Sequence, residues 1–115
     1  MAGVKRHDNV PGGCFLHEWA LTSADPVGAW SEHPGAADRS VQFSGTWGGA
    51  TAVLEGSIDG VTAFVLTDPQ GNAISKSNDA LEAIMENVRY YRASLSVVGS
   101  GASVSVQMLS RSTMR

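Results

Sequence analysis

"VQFSGTWGGATAVLEGSIDG", residues 41–60, holds two alternating runs, a glycine pair between them and a turn after them. In the first run Val41 and Phe43 share one face while Ser40, Gln42 and Ser44 share the other, the pattern of a strand with a polar outer side. In the second, Ala52, Leu54 and Gly56 oppose Thr51, Val53, Glu55 and Ser57. Gly48-Gly49 makes a tight hairpin between the runs possible, because glycine enters positive φ without a Cβ clash. Asp59-Gly60 is a second turn signal of the hairpin-closing kind.

The same period continues outward from this stretch. Val61 to Thr67 reads as the next strand, with Phe64 and Leu66 expected in the core. "TDPQGNAIS" is turn chemistry, with Pro69 at a second position and Gly71 at a later one. "SNDALEAIMEN" predicts one short helix of one to two turns, since Ser77, Asn78 or Asp79 suits a cap and Leu81, Ile84 and Met85 have helical spacing. Val88 to Val98 returns to strand alternation, "GSG" at 99–101 turns the chain, and Ala102 to Leu109 sets Val104, Val106 and Met108 against Ser103, Ser105 and Gln107. Toward the N-terminus, Phe15, His17, Trp19 and Leu21 alternate against Leu16, Glu18 and Ala20. The proline- and glycine-bearing residues 23–38 read as irregular, with room for a brief strand at Val27–Trp30. Residues 1–13 show no periodicity and read as an extended N-terminal arm. About seven or eight short, evenly spaced strands predict an all-β sandwich or barrel.

Composition narrows the function classes. At 115 residues the chain is expected to form a single domain, residues 14–115, beyond the arm at 1–13. Charged residues are only 17% of the chain and the formal net charge is −3, so a phosphate-neutralising surface is not expected. The single cysteine, Cys14, lies in an apolar run and reads as a small buried hydrophobe rather than a nucleophile. No apolar stretch is long enough for a membrane span, and no apolar region follows the N-terminal charges as a signal peptide requires. Synthesis and folding in a cytoplasm are therefore expected.

The residues of catalysis are present but not patterned. His7, His17 and His33 lack metal-ligand spacing, and no G-x-S-x-G elbow surrounds a serine. Asp68, Asp79, Glu82 and Glu86 sit where turns and a short polar helix account for them. No catalytic, metal or cofactor residue is expected. Trp47 stands beside the glycine turn, where an aromatic is less assured of a core place and suits a contact role.

The order of these elements adds a family likeness. A glycine-linked hairpin, an "EGS-x-DG" turn at 55–60, "L-x-D-x-x-G-N" at 66–72 and "E-N-x-R-Y" at 86–90 precede a closing strand pair split by glycines. This succession, over about residues 40–110, resembles small proteins encoded among the head genes of tailed bacteriophages. The resemblance implies a jelly-roll-like antiparallel β-sandwich acting as a capsid decoration, or cement, protein without an active site. It implies binding to the major capsid protein and to itself as a dimer or trimer, on the outer face of the virion head, with no nucleic acid or membrane partner. An arm of this length reaches about 40 Å at roughly 3.3 Å per residue. The expected contact residues are Val4, Lys5, Arg6, Trp30, Trp47 and Tyr90. The "EGSIDG" hairpin also resembles discoidin-like jelly rolls, which leaves a carbohydrate-binding module using Trp30, Trp47 and Asp59 as an alternative. A tail, neck or baseplate subunit of the same virion is another.

Overall fold

The structure is a computed structural model that describes residues 1–10, 14–32 and 38–111, with backbone alone at positions 8 and 9. Among the described residues ten strands form: β1 (Val4–Val10), β2 (Cys14–Thr22), β3 (Ser31–Glu32), β4 (Asp38–Thr46), β5 (Thr51–Ser57), β6 (Phe64–Val65), β7 (Ser75–Lys76), β8 (Ala80–Ala83), β9 (Tyr90–Val97) and β10 (Ser103–Arg111). They make two antiparallel sheets, one in the order β1-β2-β10-β4-β8 and one in the order β3-β9-β5-β6, with β7 also paired to β5. The chain is an all-β antiparallel sandwich.

The pairing has a simple logic. β5 pairs with β6, β4 with β8, β3 with β9 and β2 with β10, so each pair encloses the previous one along the chain. The protein is one long antiparallel ribbon whose tip is Asp59-Gly60, wrapped so that successive segments fall alternately in the two sheets. That is the jelly-roll arrangement expected from the sequence. Alternation fills the space between the sheets: Trp19 and Leu21 from β2, Val41 and Phe43 from β4, Val104, Val106 and Met108 from β10 meet Ala52 and Leu54 from β5 and Tyr91, Ala93 and Leu95 from β9. Cys14 is buried as a small hydrophobe.

The structure corrects four expectations. The runs joined by Gly48-Gly49 do not pair with each other, because β4 lies between β10 and β8 while β5 lies in the opposite sheet. The glycine pair makes an arch, closed by the Ala50 N–H donating to the Trp47 carbonyl at 2.8 Å. Alternation suits an arch and a hairpin equally, and the outcome depends on which distant strands claim the edges. A second arch at 98–102 packs against the first. A Cβ on Gly48 (φ 53°) would stand 2.1 Å from the Ser100 carbonyl oxygen, so only glycine lets the two backbones approach.

No helix occurs among the described residues, and "SNDALEAIMEN" instead supplies β8. Ala80 packs on the core and Ile84 is buried, while Leu81 and Met85 face outward. A helix of one or two turns is marginal in water, whereas pairing with β4 satisfies a row of backbone groups at once. Residues 4–10 of the expected arm are β1, paired with β2 from Val4 opposite Trp19 to Val10 opposite Cys14. Ala2 is buried and bonded on both sides, to the Val27 carbonyl at 2.7 Å and the Ala29 N–H at 2.6 Å, so this segment ties the two sheets together along one side. Residues 11–13 of that expectation lie outside the described residues. Finally, Leu66 is core as expected, but Phe64 is 67% exposed.

Candidate docking surface

Local side-chain bonding concentrates at the ribbon tip. Asp59 Oδ1 accepts the Val61 and Thr62 N–H groups, each at 2.8 Å, and the Ser57 hydroxyl at 2.9 Å. Its Oδ2 accepts the Thr62 hydroxyl at 3.2 Å, and the Ser57 oxygen accepts the Gly60 N–H at 2.9 Å. The Thr62 and Val61 N–H groups, with the Ser57 hydroxyl, hold the Asp59 carboxyl far below its usual pKa. A carboxylate that satisfies several donors in one short loop stiffens it.

This stiff tip carries apolar side chains. Ile58 and Val61 are 68% and 83% exposed, and Phe64 and Val65 follow them on the return strand. Soluble proteins rarely concentrate large apolar groups at one exposed turn without a contact to make. Beside them lies a cavity of about 340 Å³ lined by Ile58, Phe64, Val65, Leu66 and Val88, with Asp59 and Glu86 contributing carboxylates. Gly56 shapes it, since a Cβ there would meet Leu66 Cδ2 and Val88 Cγ2 at 2.7 Å each.

Glu86 comes from the segment before β9 and is held by Thr67, whose N–H and hydroxyl donate at 2.8 and 2.6 Å. Burial pushes the Glu86 pKa up, but those two bonds outweigh it and the carboxyl sits below its ordinary value. Next along, the Tyr91 hydroxyl accepts the Val88 N–H at 3.0 Å. Arg39, buried at 4% exposure, lies over the Tyr91 ring at 4.4 Å and donates to Asn87 Oδ1 at 2.6 Å. Burial lowers the Arg39 pKa. The core thus fixes the segment that lines the cavity.

The six sequence-predicted contact residues fall in three places. Trp30 and Tyr90 come together edge to face on the outer side of the second sheet, with ring centroids 6.3 Å apart. Arg92 lies over Trp30 at 4.4 Å and bonds Glu55 at 2.9 Å, while Arg89 lies over Tyr90 and bonds Glu32. This aromatic pair borders the ribbon tip, because the Tyr90 ring lies 3.3 Å from where a Gly60 Cβ would be. Val4, Lys5 and Arg6 sit on β1, the outer strand of the other sheet, with Val4 packed on the core and Lys5 and Arg6 exposed. Trp47 packs partly against the core at the glycine arch, and its indole N–H donates to Asp79 Oδ1 at 2.8 Å.

Sequence reading missed Ile58, Val61, Phe64 and Val65. The available signal was apolar residues on both sides of Asp59-Gly60, at turn positions where polar groups are the rule. Among the described residues no group of three or more His, Cys, Asp or Glu is placed to hold a metal ion, and no helix is long and apolar enough to cross a membrane.

No known family model matches the chain, and no curated protein is recognisably similar to it in sequence.

Proposed function

We propose that this chain is a non-enzymatic structural subunit of a tailed-phage virion, a decoration protein that docks on the outer face of the head and bridges neighbouring copies of the major capsid protein. The observation that carries the adhesive reading is the ribbon tip: four exposed apolar side chains on a turn locked by Asp59, continuous with Tyr90 and Trp30. A preorganised apolar patch loses little conformational freedom on docking, which favours contact with a protein surface. The choice of partner rests on the resemblance of residues 40–110 to phage head proteins, together with a low-charge surface suited to repeated docking. A shell under internal pressure gains from many weak bridges acting together, since each need supply only a few kcal/mol.

The carbohydrate-binding reading asks Trp30, Trp47 and Asp59 to face a sugar. Instead Arg92 covers one face of Trp30, and Asp79 takes the Trp47 N–H. The jelly-roll architecture itself serves both capsid and lectin roles, so the side chains must decide.

Mass spectrometry of purified virions with copy counting tests the proposal. Hundreds of copies support it, about a dozen point to a neck or tail ring, and absence from the particle overturns it.

A further inference from the structure

The cavity at the ribbon tip combines two features that seldom meet by accident. Its lining is apolar, from Ile58, Phe64, Val65, Leu66 and Val88, yet two carboxylates, Asp59 and Glu86, line it as well. Both are held below their ordinary pKa values, so both are ionised at neutral pH. Neither belongs to any of the ion pairs formed among the described residues, which join Asp25, Glu18, Glu82, Glu32, Glu55 and Asp38 to their cations. Their hydrogen bonds come from neutral donors only: backbone N–H groups and the hydroxyls of Ser57, Thr62 and Thr67. Both negative charges are therefore fixed in position, and neither has a cation partner among the described residues.

We propose that this cavity is a socket for an arginine side chain presented by the protein partner, an inference that rests on the docking role proposed above. Arginine joins an apolar three-carbon stem to a weakly hydrated, planar cation with five donors, which matches an apolar lining edged by carboxylates. Each carboxylate oxygen accepts two or more hydrogen bonds in favourable cases, so Glu86 retains acceptor capacity while bonded to Thr67. A volume of about 340 Å³ admits one such side chain. The stiff turn and the Thr67 clamp place the carboxylates before the partner arrives, so binding requires little rearrangement. The exposed Ile58, Val61 and Phe64 then form the surrounding apolar rim that excludes water from the ion pair. A purely aliphatic guest fits the walls but leaves the charges unanswered, and an acidic guest is repelled.

The test uses N-acetyl-arginine methylamide as the probe, titrated into the isotopically labelled full chain and followed by NMR. The norleucine and glutamate counterparts serve as the uncharged and anionic comparisons. Saturable shifts with arginine in the millimolar range, confined to residues 56–66 and 86–88, support the socket. They should be about tenfold tighter than with norleucine and weaken at high salt. Glu86→Gln keeps an acceptor for the Thr67 N–H and should abolish that preference while leaving the rest of the spectrum in place. Equal shifts with arginine and norleucine, or none with arginine, overturn the proposal. The outcome separates from the virion assay: hundreds of copies with no arginine preference sinks the socket alone, and arginine preference with no copies sinks the capsid role alone.

Discussion

β5 ends in glycine-bearing turns at both of its termini, and the two turns do opposite work. At its start, Gly48 and Gly49 form an arch pressed against the arch at 98–102, with the Ser100 N–H donating to the Gly48 carbonyl at 3.0 Å. At its end, Asp59-Gly60 closes the ribbon tip with its bonds directed inward and its apolar side chains outward. The first turn uses glycine so that backbone can touch backbone. The second uses Asp59 to hold a display. Similar turn residues thus yield a backbone-to-backbone joint at one end of β5 and, at the other, an apolar exposed turn with the Tyr90 ring beside Gly60.

The sharpest way to break this contrast is at the arch. Gly48→Ala must fit a Cβ 2.1 Å from the Ser100 oxygen at positive φ, and should cost about 3 kcal/mol or more by denaturant unfolding. Gly49→Ala shares the positive φ (83°) but meets nothing within 4 Å, so it should cost only about 1 kcal/mol. Equal losses would mean that backbone conformation, and not the packing of arch on arch, governs this end.

Tyr91→Phe probes the link between core and display. It leaves the Val88 N–H without its acceptor in a partly buried site, for a loss of about 1–2 kcal/mol. Because Val88 lines the cavity, the amide signals of residues 86–88 should shift as well; a thermal loss without such shifts would separate the core from the site.

Acid should act on the tip. Asp59 has a folded pKa below its ordinary 3.8, and Glu86 one below 4.5. Their stabilising contributions are therefore complete above those ordinary values and fade as pH falls below them toward the depressed folded values. Melting temperature should drop through that window, and Asp59→Asn should drop less steeply because its side chain does not titrate. Parallel acid limbs in the two proteins would show that the turn does not depend on the carboxylate charge.

The smallest effect on stability should come from the display itself. Val61→Ser with Phe64→Ser alters two exposed positions and should change unfolding free energy by about 0.5 kcal/mol or less. The same double variant should fail to bind purified capsid shells. Retained binding would move the contact to Trp30 and Tyr90 or to the β1 edge.

Much of this architecture was legible before any coordinates. β2, β4, β5, β9 and β10 fall where alternation placed them, because a strand with one face on a core must write that face into every second residue. The Asp59-Gly60 and Asp68–Gly71 turns were equally plain; in the latter the Gly71 N–H donates to the Asp68 carbonyl at 3.0 Å. The site was far less so. Of the six expected contact residues the fold brings Trp30 and Tyr90 together, while Val4, Lys5, Arg6 and Trp47 lie elsewhere. Phe64 alternates with Val65 as a core residue would, but β6 is two residues long and turns that ring outward beside the tip.

The amino-acid order alone determined where strands run, which residues face inward and where the chain reverses, since these follow from period two and from the backbone freedom of glycine. Only the tertiary structure decided that β4 and β5 occupy opposite sheets, that residues 80–83 join the edge at β4 instead of coiling, and that residues 4–10 are strand. The first two outcomes turn on hydrogen-bonding partners far away in sequence, and the third on an edge of β2 that residues 4–10 do not themselves encode. An exposed strand edge offers the same N–H and C=O groups to any neighbour, so nothing local to a segment specifies which neighbour it will meet.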